Sequence, residues 1–158
     1  TGEYALATTP VLMDKGFGEE EPANVNTPQG KADLLVSLDQ LRDQCPRVSS
    51  VSLVVSWFGS DLRAAECKPR PKVEQSDTDG QGMPWAVSGR PRAAVPQVVR
   101  LDGRAAYGGT PADASVIEAI RALNARGQKV VFYPFILMDQ LPGNALPDPY
   151  TGAAGQPL

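Results

Sequence analysis

Three side chains with ligand-binding chemistry lie at the end of the first strongly apolar run of this sequence. The run is Val51 to Phe58, and Trp57, Asp61 and Arg63 lie at or just beyond its end. A tryptophan ring can stack on a sugar, because it has a large apolar face and one polar N–H group. Aspartate and arginine can hydrogen-bond hydroxyls or carboxylates, arginine in bidentate fashion. A core tryptophan and a local Asp–Arg surface pair are the alternative interpretations, and the residues alone leave both open.

A second candidate, Asp139, follows another apolar run, Val130 to Met138. Its carboxylate can contact a ligand where the strand ends, and capping of the next turn is an equal alternative. The basic run Lys68 to Lys72 can meet a phosphate or a uronate, although a solvated loop is the simpler interpretation. Residues 77–80 begin like a calcium loop, but the glutamate that such a loop needs downstream is missing. We therefore do not expect a calcium site.

The absence of histidine and the small number of cysteines exclude several kinds of catalytic and metal site. The chain has no histidine, which excludes a Ser-His-Asp triad and a His-ligated metal within it. With two cysteines it also has no thiolate cluster, so we expect no metal and no cofactor. A disulfide between Cys45 and Cys67 stays open. The strand between them would be about 26 Å long at about 3.3 Å per residue, which favours two separate thiols.

The clearer of two elements that must position these side chains is a helix–strand unit over residues 110–139. Thr110 is the expected N-cap and Pro111 the first helical residue, and Gly127 is expected to end the helix. The strand that follows is apolar on both faces, which is typical of the interior of a covered parallel sheet. Pro134 within it predicts a bend or interrupted pairing.

A first helix–strand unit is predicted over residues 27–58. Its helix begins near Thr27-Pro28 and is followed by a strand. Residues 1–26 predict a short strand and an acidic loop. Residues 59–109 form an unusually long connection, in which Asp102-Gly103 indicates a two-residue hairpin turn. Residues 140–158 have the composition of a loop.

The charge and the hydropathy exclude two classes of partner. The 15 basic and 18 acidic residues give a net charge of −3, which provides no overall basic field for nucleic acid. The longest apolar run has about nine residues, too few to span a bilayer. We therefore expect neither nucleic-acid binding nor membrane insertion.

Long blocks of the sequence resemble the TIM-barrel-like domain of gene transfer agent and phage tail-tip proteins, which are host-specificity proteins of the baseplate. The blocks are residues 51–74, 84–89, 105–139 and 146–152, and the resemblance covers nearly the whole chain. It implies an α/β fold, the N-terminal portion of a (β/α)8 barrel that continues beyond residue 158. The long β-to-α loop with its hairpin would be part of that barrel.

The resemblance also implies a place in the tail tip of a phage-like particle, made in the cytoplasm and released. The implied partners are other tail-tip or baseplate proteins, the rest of the same polypeptide and the recipient cell's surface polysaccharide; a homo-oligomer in the particle is also compatible with it. Glycosidases of this type need two carboxylates, and no such pair is identifiable here, so the catalytic residues stay unknown. A non-catalytic structural or receptor-binding tail protein is the alternative, and a free-standing α/β ligand-binding domain is a third. The substrate-binding candidates are Trp57, Asp61, Arg63, Tyr107, Tyr133 and Asp139.

Overall fold

The structure, a computed structural model, describes residues 2–141 and 143–157. Within them lie two α helices, one 3-10 helix and nine strands. The helices are α1 (Asp33–Gln44), α2 (Asp113–Ala125) and the 3-10 turn Arg92–Ala94. The strands are β1 (Leu12–Gly16), β2 (Glu19–Pro22), β3 (Ser50–Gly59), β4 (Gly80–Gln81), β5 (Ala86–Val87), β6 (Arg90–Pro91), β7 (Arg100–Leu101), β8 (Arg104–Ala105) and β9 (Lys129–Met138).

The centre of the fold is a parallel pair, β3 and β9. Their register runs without a shift from Ser50 opposite Lys129 to Gly59 opposite Met138. Helix α2 lies against this pair, so the predicted order of helix, short link and strand is confirmed for residues 113–138. The carboxyl ends of β3 and β9 therefore lie side by side, and they bring the chain near residue 60 beside the chain near residue 139.

Of the two alternatives predicted for Pro134, a bend in β9 or interrupted pairing, the interrupted pairing is wrong. Pro134 lies opposite Val55 within the continuous register. The amide of Lys129 donates to Ser49, and the amide of Asp139 donates to Gly59. Because amides alternate in direction along a strand, the odd-numbered amides of β9 face β3 and the nitrogen of Pro134 faces the other edge. Proline is tolerated in that position because it removes no bond from the ladder.

Strand β9 is not the buried interior strand that its composition predicts. Most of its side chains are exposed, including Phe132 (52%) and Tyr133 (49%). In the described part of the chain, β9 pairs only with β3, and the side chains of α2 pack with Leu53 and Val55 of β3 and with Val130 at the start of β9. An apolar surface therefore remains on β9. Its exposed large side chains are Val131, Phe132, Tyr133, Phe135 and Ile136.

The fold class inferred from the resemblance is contradicted. Across residues 2–141 and 143–157 there are only two α helices, and the nine strands form small separate sheets. The described residues are 18% helical and do not form a portion of a (β/α)8 barrel. The physical reason is that residues 59–112 add no strand to the β3–β9 pair and instead build a second core with the N-terminal segment.

That second core joins the long connection to the N-terminal segment, from which Tyr4, Ala7 and Val11 contribute. Trp85 is 1% exposed and packs with Val73 and Val87 against residues of the N-terminal segment. The Trp85 indole donates to the carbonyl of Thr110 at 2.8 Å. The predicted hairpin within this connection is confirmed, because Asp102 and Gly103 have positive φ angles of 49° and 76° between β7 and β8. These angles correspond to a type I′ turn.

Both predicted helix starts are wrong. Helix α2 begins at Asp113, with Ala112 at the N-cap and no side-chain cap. The Thr110 hydroxyl instead accepts a bond from the Lys72 amide, so Thr110 anchors the long connection. Helix α1 begins at Asp33, well after the Thr27-Pro28 pair. The predicted helix end at Gly127 is confirmed by its φ of 75°.

The N-terminal segment also differs from the prediction. Residues 3–9 form turns and not a strand. The acidic stretch, expected to be loop, forms the antiparallel hairpin of β1 and β2, and β4 pairs with the other edge of β1. No helix in the described residues is long and apolar enough to cross a membrane.

Candidate functional site

Asp61 and Arg63 lie beyond the carboxyl end of β3, as the sequence predicts, and they bind each other. The Asp61 carboxylate is 2.7 Å from Arg63 Nη2 and 3.0 Å from Arg63 Nε, and it also accepts the Arg63 amide at 2.9 Å. These hydrogen bonds hold the pKa of Asp61 well below its usual range, with a further contribution from Gln156. The same pairing raises the pKa of Arg63. This ion pair therefore stabilises the loop that follows β3, and it is termed the Asp61 clamp below.

Two glutamines extend this network to the end of β9. Gln156 Nε2 donates to Asp61 at 2.7 Å, and Gln156 Oε1 accepts from Gln140 Nε2 at 2.7 Å and from the Leu62 amide at 2.8 Å. Gln140 is 3% exposed, and among the described residues its Oε1 has no hydrogen-bond partner. Residues near the two strand ends are thus joined through a chain of side-chain amides.

Asp139 is buried at the end of β9 and has two partners. Its Oδ2 is 2.5 Å from Lys72 Nζ, and its Oδ1 accepts the Val99 amide at 2.9 Å. The side chain of Asp139 is fully buried. Asp139 therefore fixes the long connection to the sheet, and its carboxylate is not presented to a ligand.

The two candidate tyrosines lie apart from this network. Tyr107 is half-buried, and its ring packs against Phe58 with centroids 6.1 Å apart. Tyr133 is exposed on β9, with its ring 6.0 Å from that of Phe135. Since the described contacts do not bring these tyrosines to the Asp61 clamp, the six sequence candidates do not form one site.

Trp57 lies at a cavity of about 570 Å³, termed the Trp57 cavity below. Its ring is partly buried and bridges the two hydrophobic cores. The cavity is also lined by three basic residues, three prolines and small residues, and no acidic residue is among them. The lining residues are Trp57, Lys68, Pro69, Arg70, Pro71, Ser88, Arg90, Ala94, Val95 and Pro96.

Backbone hydrogen bonds hold the basic residues of the Trp57 cavity in place. Phe58 and Arg70 exchange two of them, at 2.9 and 2.8 Å, as an isolated antiparallel bridge. The Lys68 amide donates to Ser60 Oγ at 3.1 Å. The segment that contributes Lys68 and Arg70 is therefore attached directly to the end of β3.

Arg90 is the cavity residue that the sequence reasoning missed. It follows a tight turn between β5 and β6, in which Ser88 and Gly89 have positive φ angles of 50° and 74°. The Ser88 amide donates to the Asp113 carboxylate at 2.8 Å, which attaches this hairpin to the start of α2. The Ser-Gly pair is a known turn signal, and it could have located the hairpin.

A second groove, of about 680 Å³, lies on the N-terminal side and is mainly acidic. Its charged lining includes Glu21, Asp33 and Glu74, together with Lys15. Within residues 2–141 and 143–157, no three His, Cys, Asp or Glu side chains are grouped so that they could hold a metal ion. The acidic groove therefore offers no identifiable metal centre.

Comparison with known protein families found no family that matches the chain, and no curated protein matches it either.

Proposed function

We propose that this chain is a segment of a phage-like tail-tip host-specificity protein and that it binds the recipient cell's surface polysaccharide at the Trp57 cavity. The observation that carries the proposal is the Trp57 ring, partly buried beside an open cavity with polar and basic walls. A sugar presents an apolar ring face for stacking and hydroxyls for hydrogen bonds, and both kinds of partner are present there. The resemblance of the sequence to tail-tip proteins supplies the biological setting.

The geometry favours binding over cleavage. A glycosidase needs a carboxylic acid that can donate a proton, and such an acid has a raised pKa. Asp61 has a lowered pKa, because Arg63 and Gln156 hydrogen-bond its carboxylate. Asp139 is committed to Lys72 and Val99. The two acids at the carboxyl ends of the parallel strands are therefore scaffold, and the proposed activity is recognition.

Tryptophan fluorescence tests this proposal, because the chain has two tryptophans in different surroundings. Trp85 is buried, whereas Trp57 lines the cavity. The W85F variant reports Trp57 alone, and the matched W57F variant reports Trp85 alone. Addition of purified surface polysaccharide is expected to change the emission of W85F and to leave that of W57F unchanged. Circular dichroism checks that both variants are folded.

Two outcomes would remove the proposal. One is an unchanged Trp57 emission together with no retention of the wild-type chain on immobilised polysaccharide. The other is the absence of this polypeptide from purified particles when their proteins are identified by mass spectrometry.

A non-catalytic structural tail protein is a second candidate, and the exposed apolar surface of β9 favours it. Five large side chains there, including Phe132 and Phe135, are 40–55% exposed. Val131, Tyr133 and Phe135 lie on one face of the strand and Phe132 and Ile136 on the other, because side chains alternate along a strand. Exposed apolar surface marks protein–protein contacts. In this second proposal the occupant of the surface is another protein of the tail tip.

Site-specific crosslinking in assembled particles tests the contact at β9. A photoreactive amino acid at position 132 is expected to crosslink to one tail-tip protein, identified by the crosslinked peptide. The same amino acid at exposed position 104, on β8, is the control. Equal crosslinking from both positions, or none from position 132, would contradict the contact.

A further inference from the structure

We infer that the Trp57 cavity selects acidic glycans, those whose sugar units carry carboxylate or phosphate groups. This inference rests on the proposed function, and it adds the chemical class of the ligand. Its basis is the charge of the lining. Lys68, Arg70 and Arg90 all line the cavity, and the lining includes no aspartate or glutamate.

Three basic residues line one cavity without an acidic partner among the described residues, and other exposed basic residues such as Arg121 and Lys129, which lie elsewhere, also have none. Lys68, Arg70 and Arg90 are exposed, and none forms an ion pair with another described residue. By contrast, Arg63 and Arg92 each bind a carboxylate. The chain as a whole has a net charge of −3, whereas this cluster is positively charged. An anion bound in the cavity would complete the pairing of these cations.

The positions of the cations suit an extended acidic chain. Arg70 is attached to the end of β3 by its own backbone amide and carbonyl, and Arg90 lies on a separate hairpin that is anchored at Asp113. Pro69, Pro71 and Pro96 stiffen the walls between them, because proline fixes its backbone φ angle. A wall that is already fixed loses less entropy on binding. Arginines on two elements can each bind a carboxylate or phosphate through two parallel hydrogen bonds.

Trp57 allows the cavity to recognise the sugar as well as its acidic group. Phosphate or carboxylate alone would be bound by any exposed pair of arginines, and such binding would not need an aromatic ring. The Trp57 ring in the same cavity offers a stacking surface for the sugar that carries the acid. The cavity therefore favours an acidic sugar over a free anion and over a neutral sugar.

Isothermal titration of the full chain with three probes tests the inference. Alginate oligosaccharide supplies carboxylates, phosphomannan oligosaccharide supplies phosphates, and dextran oligosaccharide is neutral. Inorganic phosphate and acetate are the free anions. The test variant is R70Q/R90Q, in which the backbone bonds of Arg70 are retained. The control is R121Q/K129Q, which removes two exposed positive charges that do not line the cavity.

We expect at least one acidic probe to bind more tightly than dextran and than the free anions, and binding to weaken as salt is raised. The R70Q/R90Q variant is expected to lose roughly tenfold in affinity for each arginine, since each loses a charge-assisted hydrogen bond. The control is expected to stay within about twofold of the wild type, the change that a distant screened charge gives. Comparison of the affinities for alginate and phosphomannan shows whether the cavity prefers carboxylate or phosphate.

Three outcomes would overturn the inference, and they are distinguishable. Dextran binding as tight as alginate binding, unchanged in R70Q/R90Q, would leave the proposed function intact and remove only the acidic selectivity. Equal losses in the test and control variants would mean non-specific attraction. Failure of all three oligosaccharides and of the purified surface polysaccharide would remove the inference and the proposed function together.

Discussion

Glu3 and Arg92 form a buried, bidentate ion pair that joins the N-terminal segment to the long connection. Arg92 Nη2 is 2.6 Å from Glu3 Oε2, and Arg92 Nη1 is 3.1 Å from Glu3 Oε1. Both side chains are about 95% buried. Arg92 also donates to Tyr4, to Asp79 and to the carbonyl of Gln75. One guanidinium therefore links segments that are far apart in the sequence.

Replacement of Arg92 by methionine is expected to lower the free energy of unfolding by about 3–5 kcal/mol, because it leaves the Glu3 carboxylate buried without its partner. Urea unfolding monitored by circular dichroism measures the change. Lys15→Met removes the exposed Lys15–Glu21 pair and serves as the control, with an expected cost of about 1 kcal/mol or less. Equal costs for the two substitutions would contradict the role given to Arg92.

Tyr4 is expected to ionise later than an ordinary tyrosine. Burial, together with the hydrogen bond that Tyr4 donates to Asp79, raises the pKa of Tyr4 to about 12. The pKa in the unfolded chain is about 10. The resulting stability is fully present below about pH 10 and is lost as the pH rises toward 12.

Spectrophotometric titration of phenolate absorbance measures this delay. The wild-type protein should show one tyrosine that ionises near pH 12, and Tyr4→Phe should remove that component while the other three tyrosines titrate as before. A late component that persists in Tyr4→Phe would assign it to another tyrosine.

Asp61 is expected to make the protein sensitive to acid. Because Arg63 and Gln156 hydrogen-bond its carboxylate, the folded pKa of Asp61 lies below its unfolded value of about 3.8. Its contribution to stability is present above that unfolded value and is lost as the pH falls toward the folded pKa. The urea midpoint of the wild type should therefore fall between pH 6 and pH 3 by more than that of Asp61→Asn. Parallel pH profiles of the two proteins would refute this contribution.

Gly127 is expected to resist replacement because of its backbone angle. Its φ is 75°, and the amides of Gly127 and Gln128 donate to Asn124 and Leu123 and so close the end of α2. An added Cβ would meet no atom within 4 Å, so the cost of Gly127→Ala is the backbone strain, about 1 kcal/mol. Gly127→Asn should cost less, since asparagine tolerates this conformation. Denaturant unfolding of both variants compares them, and equal costs would point to another cause.

Both cysteines are free in the structure, Cys45 exposed and Cys67 half-buried. The sequence favours separate thiols, and the structure agrees. Maleimide should therefore label both without prior reduction, and Cys45 should react first because it is more accessible. Intact-mass measurement counts the labels. Labelling that requires a reductant would indicate a disulfide.

The sequence alone predicted the local features that depend on neighbouring residues. The hairpin turn at Asp102-Gly103 and the end of α2 at Gly127 are both confirmed, because a positive φ angle is strongly tied to glycine and asparagine or aspartate. The order of α2, a short link and β9 was also predicted, because only a few residues separate the two elements. The predicted start of α2 failed because Thr110 has a tertiary partner, the Lys72 amide, that its sequence neighbours do not reveal.

The candidate site was predictable only in part. Trp57 was identified from its residue type and its place at a strand end, and it does line a cavity. The strand-end acids were identified by the same rule, yet Asp61 and Asp139 are committed to partners elsewhere in the chain. Arg90 was missed because it is more than thirty residues from Trp57, and no local pattern connects the two.

The sequence by itself determined the two long strands, the presence of the two helices, the end of α2, the turn at Asp102-Gly103 and the absence of histidine chemistry. These depend on residue type and on contacts a few positions apart. Only the tertiary structure decided that residues 59–112 and the N-terminal segment build a second core around Trp85, that β9 is left exposed and that the barrel does not form. The physical reason is that burial and ion pairing join residues distant in sequence, such as Glu3 and Arg92, and an apolar strand has the same composition whether or not another element covers it.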